Sequence, residues 1–201
     1  MTQNTGSRAS KKELRQRMLD ARAGLAHELG DTTNALWPRL EPFIAETGPG
    51  VVAGYWPVRH EVSPLGLVEE LVAKGWDGAL PCVGSKNQPL IFREFRPGDA
   101  LEPQAFGIPE PGPHMRVLVP DLLLVPLLAF DRMGGRLGYG AGLYDRTIEV
   151  LRAEKPGFLC LGLAYAGQEV QDLPAETHDE PLDAILTERE TILPPDSGAG
   201  S

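Results

Sequence analysis

Asp121-Leu-Leu-Leu-Val-Pro126-Leu-Leu-Ala-Phe-Asp131-Arg-Met-Gly-Gly135-Arg136-Leu137-Gly138-Tyr139-Gly140-Ala141-Gly142-Leu143-Tyr144-Asp145-Arg146 runs from an apolar segment into a glycine-rich turn that carries an arginine and an aspartate. The apolar half reads as a buried strand over Leu122 to Pro126, and Leu143 to Ala153 beyond the turn reads as a helix. That order can build an anion site. Glycines let backbone N–H groups approach an oxyanion, the following helix aims its positive end at the same point, and Arg136 can add a charge-assisted contact. From the residues alone, the glycines are either such a cradle or only a tight strand-to-helix connection. The Walker pattern fails, because counting from Gly135 puts Ala141 where a lysine is needed. The dinucleotide pattern fails too, with Leu143 or Asp145 in place of its last glycine.

On the N-terminal side, Ser10 and Glu13 form a capping box for a helix whose apolar stripe is Leu14, Met18, Ala21, Leu25 and Leu29. Lys11 and Arg15 share one face of its first turns, which by itself would be a solvated surface. Asp31 to Thr47 reads as a helical stretch interrupted at Pro38 and Pro42. Val51 to Tyr55 is a buried strand, and Ser63-Pro64 opens a helix that Gly75 ends. Ala79 to Val83 and Leu90 to Phe95 are short strands, Phe106 to Pro113 a Pro- and Gly-rich loop, and Phe158 to Leu163 and Ala184 to Thr187 the last strands. Strands alternating with helices predict an α/β fold with a mainly parallel sheet and helices on both faces, a doubly wound three-layer single domain over residues 10–193. Residues 1–9 are expected to be disordered and 194–201 to form a flexible tail. The loops after Tyr55, Val125 and Leu163 are expected at the ligand-binding edge of the sheet.

The 201-residue chain is long enough to bury a core, and it has no apolar span of membrane length. Its net charge of −9 argues against nucleic acid, so any bound phosphate must be met by a local basic cluster. A cytoplasmic protein that acts as a monomer is expected, with Cys82 and Cys160 as reduced core residues. Asp131 and Arg132 are expected to shape the turn, Glu69 and Glu70 to form a solvated face, and His27, His60 and His114 to be helix-surface or loop residues. His178-Asp179-Glu180 lacks a second histidine for metal binding, and His178 is expected to be structural or hydrogen-bonding.

Several segments together resemble the 5-formyltetrahydrofolate cyclo-ligase family. They are Lys11-Lys-Glu-Leu14-Arg15, Tyr55-Trp-Pro57-Val-Arg-His-Glu61-Val62, Phe106-Gly-Ile-Pro-Glu-Pro111, the quoted glycine stretch, and Leu173-Pro-Ala-Glu176-Thr-His178-Asp179-Glu-Pro181-Leu-Asp183. The resemblance implies ATP-dependent cyclisation of 5-formyltetrahydrofolate to 5,10-methenyltetrahydrofolate, with ATP as co-substrate and Mg2+. It implies that Lys11, Arg15 and Arg136 act on the phosphates, with Gly135, Leu137, Gly138, Tyr139, Gly140, Gly142 and Tyr144 in the nucleotide site. By the same matching, Tyr55, Trp56, Glu61 and Phe106 face the folate, and Asp145 and Asp183 hold the metal. Ala141 and Leu143 depart from the Gly-Gly-Tyr-Tyr-Asp of many relatives, and an alanine forced to positive φ would cost about 1 kcal/mol. The competing reading is a non-catalytic module that binds folate or a sugar phosphate. A dehydrogenase is disfavoured by the failed dinucleotide pattern.

Overall fold

The computed structural model describes residues 10–45, 47–85, 87–103, 107–171, 173 and 179–195. At its centre, strand β7 (Leu122–Pro126) lies between β1 (Val51–Ala53) and β10 (Leu159–Leu163), parallel to both. Side chains alternate along these strands. Val52, Leu122, Leu124, Leu161 and Leu163 enter one apolar cluster, and Ala53, Leu123, Val125 and Cys160 enter another on the opposite face. Both faces are therefore buried, which is why the sequence here is continuously apolar rather than alternating.

The sheet continues as β2 (Asp77–Cys82) beside β1 and β11 (Ala184–Leu186) beside β10, again parallel. Antiparallel strands finish both edges: β3 (Ile91–Glu94) and β6 (Val117–Leu118) on one side, β12 (Thr191–Ile192) on the other. From β1 the chain passes through helix α3 (Leu65–Ala73) to β2. From β7, on the other side of β1, it passes through α4 (Leu143–Glu154) outward to β10. Crossovers of one hand that run in opposite directions put their helices on opposite faces. Accordingly Leu67, Val68 and Leu71 of α3 pack in one cluster, and Ile148 and Leu151 of α4 in the other. The expected mainly parallel, doubly wound sheet is observed, and the reversal between β1 and β7 opens a crevice at their carboxyl ends.

Helix α1 (Lys11–Leu29) begins at the expected capping box, with Ser10 Oγ accepting from the Glu13 N–H. Leu14 and Met18 bury against Leu128, Ala129 and Leu137, on and beside the hairpin of β8 (Ala129–Phe130) and β9 (Arg136–Leu137). Farther along, the stripe passes through Arg22 rather than Ala21, which is exposed. Helix α2 (Thr33–Ile44) runs unbroken through Pro38 and Pro42, contrary to the expected interruption. Both prolines are exposed, so water can hydrate the carbonyls they leave unpaired, while Leu36 and Leu40 on the other side are fully buried.

Within the expected Pro-rich loop, Pro109–Pro111 forms strand β5, paired with β4 (Leu101–Pro103) in a separate two-stranded ribbon. The described residues Ala164 to Gln171 after Leu163 do not line the crevice, and Gly167 packs against Leu25 of α1. Pro194, the first residue of the expected flexible tail, is buried against Gly134, while residues 1–9 and 196–201 lie outside the described residues. No helix among the described residues is long and apolar enough to cross a membrane.

Gly78 on β2 offers a direct test of this packing. A methyl group there would lie 2.5 Å from the Phe95 carbonyl oxygen, a backbone atom that cannot rotate away. Gly78→Ala should destabilise the protein by about 1–3 kcal/mol in urea unfolding, and an unchanged midpoint would contradict the packing described.

Candidate active site

A cleft of about 700 Å³ lies over the carboxyl ends of β1, β2 and β7. Its basic end is assembled from segments distant in sequence. Lys11 and Arg15 come from the first turns of α1, and Arg136 from β9. Arg15 Nε donates to the Gly138 carbonyl at 2.9 Å, and the bare Cα of Gly140, at φ +95°, leaves room for the Arg15 guanidinium. Any Cβ on Gly140 would sit 3.0 Å from Arg15 Nη2. Lys11 Nζ is 3.4 Å from Asp179 Oδ2. Arg136, its side chain 5% exposed, donates to Asp145 Oδ1 at 2.5 Å and to the Glu180 carbonyl. The expected meeting of Lys11, Arg15 and Arg136 on one cleft is therefore present in the geometry.

Gly138 to Gly142 forms the rim between these cations, and Gly142 in left-handed backbone is the N-cap of α4. Gly142 has no side chain to cap that helix, and among the described residues none takes its place, which suits its first N–H groups to an anion. Ala141 is not among the non-glycine residues with positive φ, so its methyl adds no backbone strain. Leu143 packs against the core cluster around α4. Gly135 is not part of the cleft lining; its N–H is held by Asp131 Oδ1 at 2.9 Å, the turn-shaping role expected of Asp131. Arg132 braces the same hairpin by ion pairs to Glu169 and Glu190.

The other end of the cleft is largely apolar, walled by Tyr55, Trp56, Pro81, Val83, Ile108 and Pro126. Tyr55 is buried with its hydroxyl donating to the Val62 carbonyl at 2.5 Å, and burial pushes its pKa well up. Two buried carboxylates interrupt this surface. Glu61 accepts from the Val58 N–H at 2.9 Å, and its pKa is raised by burial, against the opposing pull of that N–H, Arg22 and the Tyr139 hydroxyl. Glu110 on β5, which the sequence reading did not single out, accepts at 3.1 Å from the N–H of Val83, the residue after β2. The loop between Trp56 and Glu61 carries Arg59 at φ 48° and His60 at φ 65°, left-handed positions that cost non-glycine residues about 1–3 kcal/mol each and cluster at functional sites.

Of the remaining expected residues, Leu137, Tyr139 and Tyr144 line the cleft. Phe106 and His178 lie outside the described residues. Asp145 is in the cleft wall with both of its hydrogen bonds on Oδ1, from Arg136 and from the Glu180 N–H. Asp183 is not in the cleft wall. One oxygen takes Arg152 at 3.0 Å and the other the Cys160 N–H at 2.7 Å. No group of three or more His, Cys, Asp or Glu side chains suited to a metal occurs among the described residues. Asp179, to which the sequence reading gave no site role, lines the cleft. A cationic, amide-rich end and an apolar end with buried acceptors suit a molecule pair, one polyanionic and one flat and polar-edged.

The family model for the 5-formyltetrahydrofolate cyclo-ligase family matches residues 7–188. The chain is 35% identical over 140 residues to 5-formyltetrahydrofolate cyclo-ligase of Haemophilus influenzae, covering 67% of this chain and 74% of that one. It is 35% identical over 141 residues to the Escherichia coli enzyme of the same name, covering 68% and 76%. The solved structure of Aquifex aeolicus 5,10-methenyltetrahydrofolate synthetase superposes with a TM-score of 0.76 at 28% identity, over 95% of this chain and 96% of that one.

Both cysteines are buried and free, and burial pushes the thiol pKa up to about 11 at Cys82 and about 12 at Cys160. Thiolate is the reactive form, so the folded protein should be inert to a thiol-titrating disulfide reagent at pH 8, and both thiols should titrate once denaturant is added. A rapidly reacting thiol in the native protein would contradict the burial described.

Proposed function

The chain belongs to the 5-formyltetrahydrofolate cyclo-ligase family, and from that premise we propose that it closes 5-formyltetrahydrofolate to 5,10-methenyltetrahydrofolate at the expense of ATP. The observation that carries this reading is the meeting of Lys11 and Arg15 with Arg136 and the glycine rim at one end of a cleft whose other end is apolar. Three cations from two distant segments fit one triphosphate. The flat walls near Trp56 and the buried Glu61 fit a pterin, whose amino edge can donate to a carboxylate.

The chemistry requires the nucleotide because a formamide oxygen departs poorly. The terminal phosphoryl group passes from ATP to the formyl oxygen, and ADP leaves. The N10 lone pair attacks the formyl carbon and N10 gives up its proton. The carbon–oxygen bond then breaks, releasing phosphate and leaving the methenyl bridge. Such transfer depends chiefly on position and on positive charge around the equatorial oxygens, which Lys11, Arg15 and Arg136 would supply. No side-chain nucleophile is needed.

Magnesium fits in part: Asp145 has Oδ2 to offer beside the phosphate end, whereas Asp183 would have to exchange Arg152 for the ion. One or two carboxylates plus phosphate oxygens suffice for this cation, which would neutralise phosphate charge when bound. We assign the metal role to Asp145 first and to Asp183 on that condition. A monomer working in the cytoplasm without a membrane completes the reading, and the net charge of −9 disfavours nucleic acid as a partner. A non-catalytic binding module explains less, because passive binding would not need a carboxylate such as Asp145 placed for a metal beside Arg136.

The near-ultraviolet absorbance of methenyltetrahydrofolate should rise only when protein, 5-formyltetrahydrofolate, ATP and magnesium are all present. Absence of an ATP-dependent rise from folded protein would reject the proposal. Lys11→Ala should lower kcat/KM for ATP roughly ten- to a hundredfold, as expected for a lost charge-assisted bond, with little change in melting temperature. Arg136→Ala should lose as much and also destabilise the fold, since it removes the cation paired with Asp145. Unchanged kinetics in either variant would show that the phosphates lie elsewhere.

A further inference from the structure

Arg22 stands at a position of the α1 stripe where an apolar residue is expected, and it is completely buried. Each of its three guanidinium nitrogens has a hydrogen-bond partner. Nε and Nη2 donate to the Arg59 carbonyl at 3.2 and 2.8 Å, and Nη1 donates to the Leu127 carbonyl at 3.1 Å. Nη2 also meets the Tyr139 hydroxyl at 2.5 Å, and Nη1 lies 3.8 Å from Glu61 Oε1. Packing alone does not explain such a residue, because a well-fitted apolar side chain commonly stabilises as much as a buried charge without the desolvation cost.

The four partners come from three segments that meet around the cleft. Arg59 and Glu61 lie on the loop after β1, which borders the apolar end. Leu127 directly follows β7. Tyr139 is the one aromatic side chain between Gly138 and Gly140 on the rim of the cationic end. Its ring also faces the Arg59 guanidinium, 5.4 Å from the ring centre, and its hydroxyl faces Glu61 as well as Arg22. The two hydrogen bonds to the Arg59 carbonyl fall on one of the two strained left-handed residues and tie that strained turn to α1.

We propose that Arg22 is a positioning residue that fastens the tip of the glycine rim, through Tyr139, to the loop carrying Glu61, so that occupation of the nucleotide end orders the folate end and the reverse. The proposal rests on the two-ligand reading of the cleft given above. Arg22 touches neither ligand and acts through Tyr139, Arg59 and Glu61. Because coupling between two sites is reciprocal, either ligand should tighten the other by the same factor.

Calorimetric titration of 5-formyltetrahydrofolate, with and without the non-hydrolysable ATP analogue AMP-PNP and magnesium, reads this factor. The wild-type protein should bind the folate about tenfold more tightly with the analogue present, within the usual range of such coupling. Tyr139→Phe removes the hydroxyl that Arg22 holds and keeps the ring; Arg22→Lys keeps the charge and loses the fork. In both variants the factor should fall to within about twofold of unity. If Arg22→Lys does not fold, Tyr139→Phe alone decides. A purely structural Arg22 would give variants with lower melting temperature and an undiminished factor, which would overturn the proposal. So would a wild-type protein that binds both ligands independently. Failure of the underlying reading looks different: the wild-type protein would then form no product and take up no folate, and both statements would fall together.

Discussion

The seating of α1 across the β8–β9 hairpin is the constraint on which the site depends. Leu14 and Met18 enter the hairpin's apolar cluster with Leu128, Ala129 and Leu137, and that contact fixes where the first turns of the helix point. Arg15 is thereby set against the Gly138 carbonyl, a partner 123 residues away in the chain. Without this docking the two sources of positive charge would belong to different surfaces. Burial of a few apolar side chains, each contributing about 1.5–3 kcal/mol, thus holds together charges that would otherwise repel one another.

Those charges are also managed locally. Lys11 faces Asp179, Arg15 a backbone carbonyl, and Arg136 both Asp145 and the Glu180 carbonyl. The segment around Glu180 extends the arrangement, since Arg152 joins the Glu180 carboxylate to Asp183. Alternating cations and acceptors let a chain of net charge −9 keep a compact basic pocket, with side chains oriented in advance rather than at the moment a ligand arrives. Pre-orientation is what a phosphoryl transfer needs most, because it has little covalent work for the protein to do.

Legibility in the sequence followed the range of the interactions involved. The central strand at Leu122–Pro126, the capping box at Ser10 and the helix after Gly142 depend on neighbours within a few residues, and each was readable. Arg22 was not, because a search for apolar periodicity passes over a buried guanidinium and settles on Ala21 beside it; the useful sign was that Arg22 falls four residues after Met18. Prolines misled twice. In α2 they lie on the solvent side, and in the β4–β5 ribbon they occupy short strands that sit outside the main sheet, places that tolerate a missing donor. Glu110, on a strand of the small ribbon, and Asp179, on an irregular segment, entered the cleft through tertiary placement, and the pairing of Asp183 with Arg152 likewise has no local signature. The family resemblance named which residues belong together, whereas their mutual geometry came only from the fold.

A crystal structure with a non-hydrolysable ATP analogue and magnesium bound tests the central claim most directly. The account predicts one triphosphate in hydrogen-bonding reach of Lys11, Arg15 and Arg136, lying against the backbone of Gly138 to Gly142. A nucleotide whose phosphates touch only the α1 cations or only the Arg136 hairpin, or that occupies another surface, would contradict it.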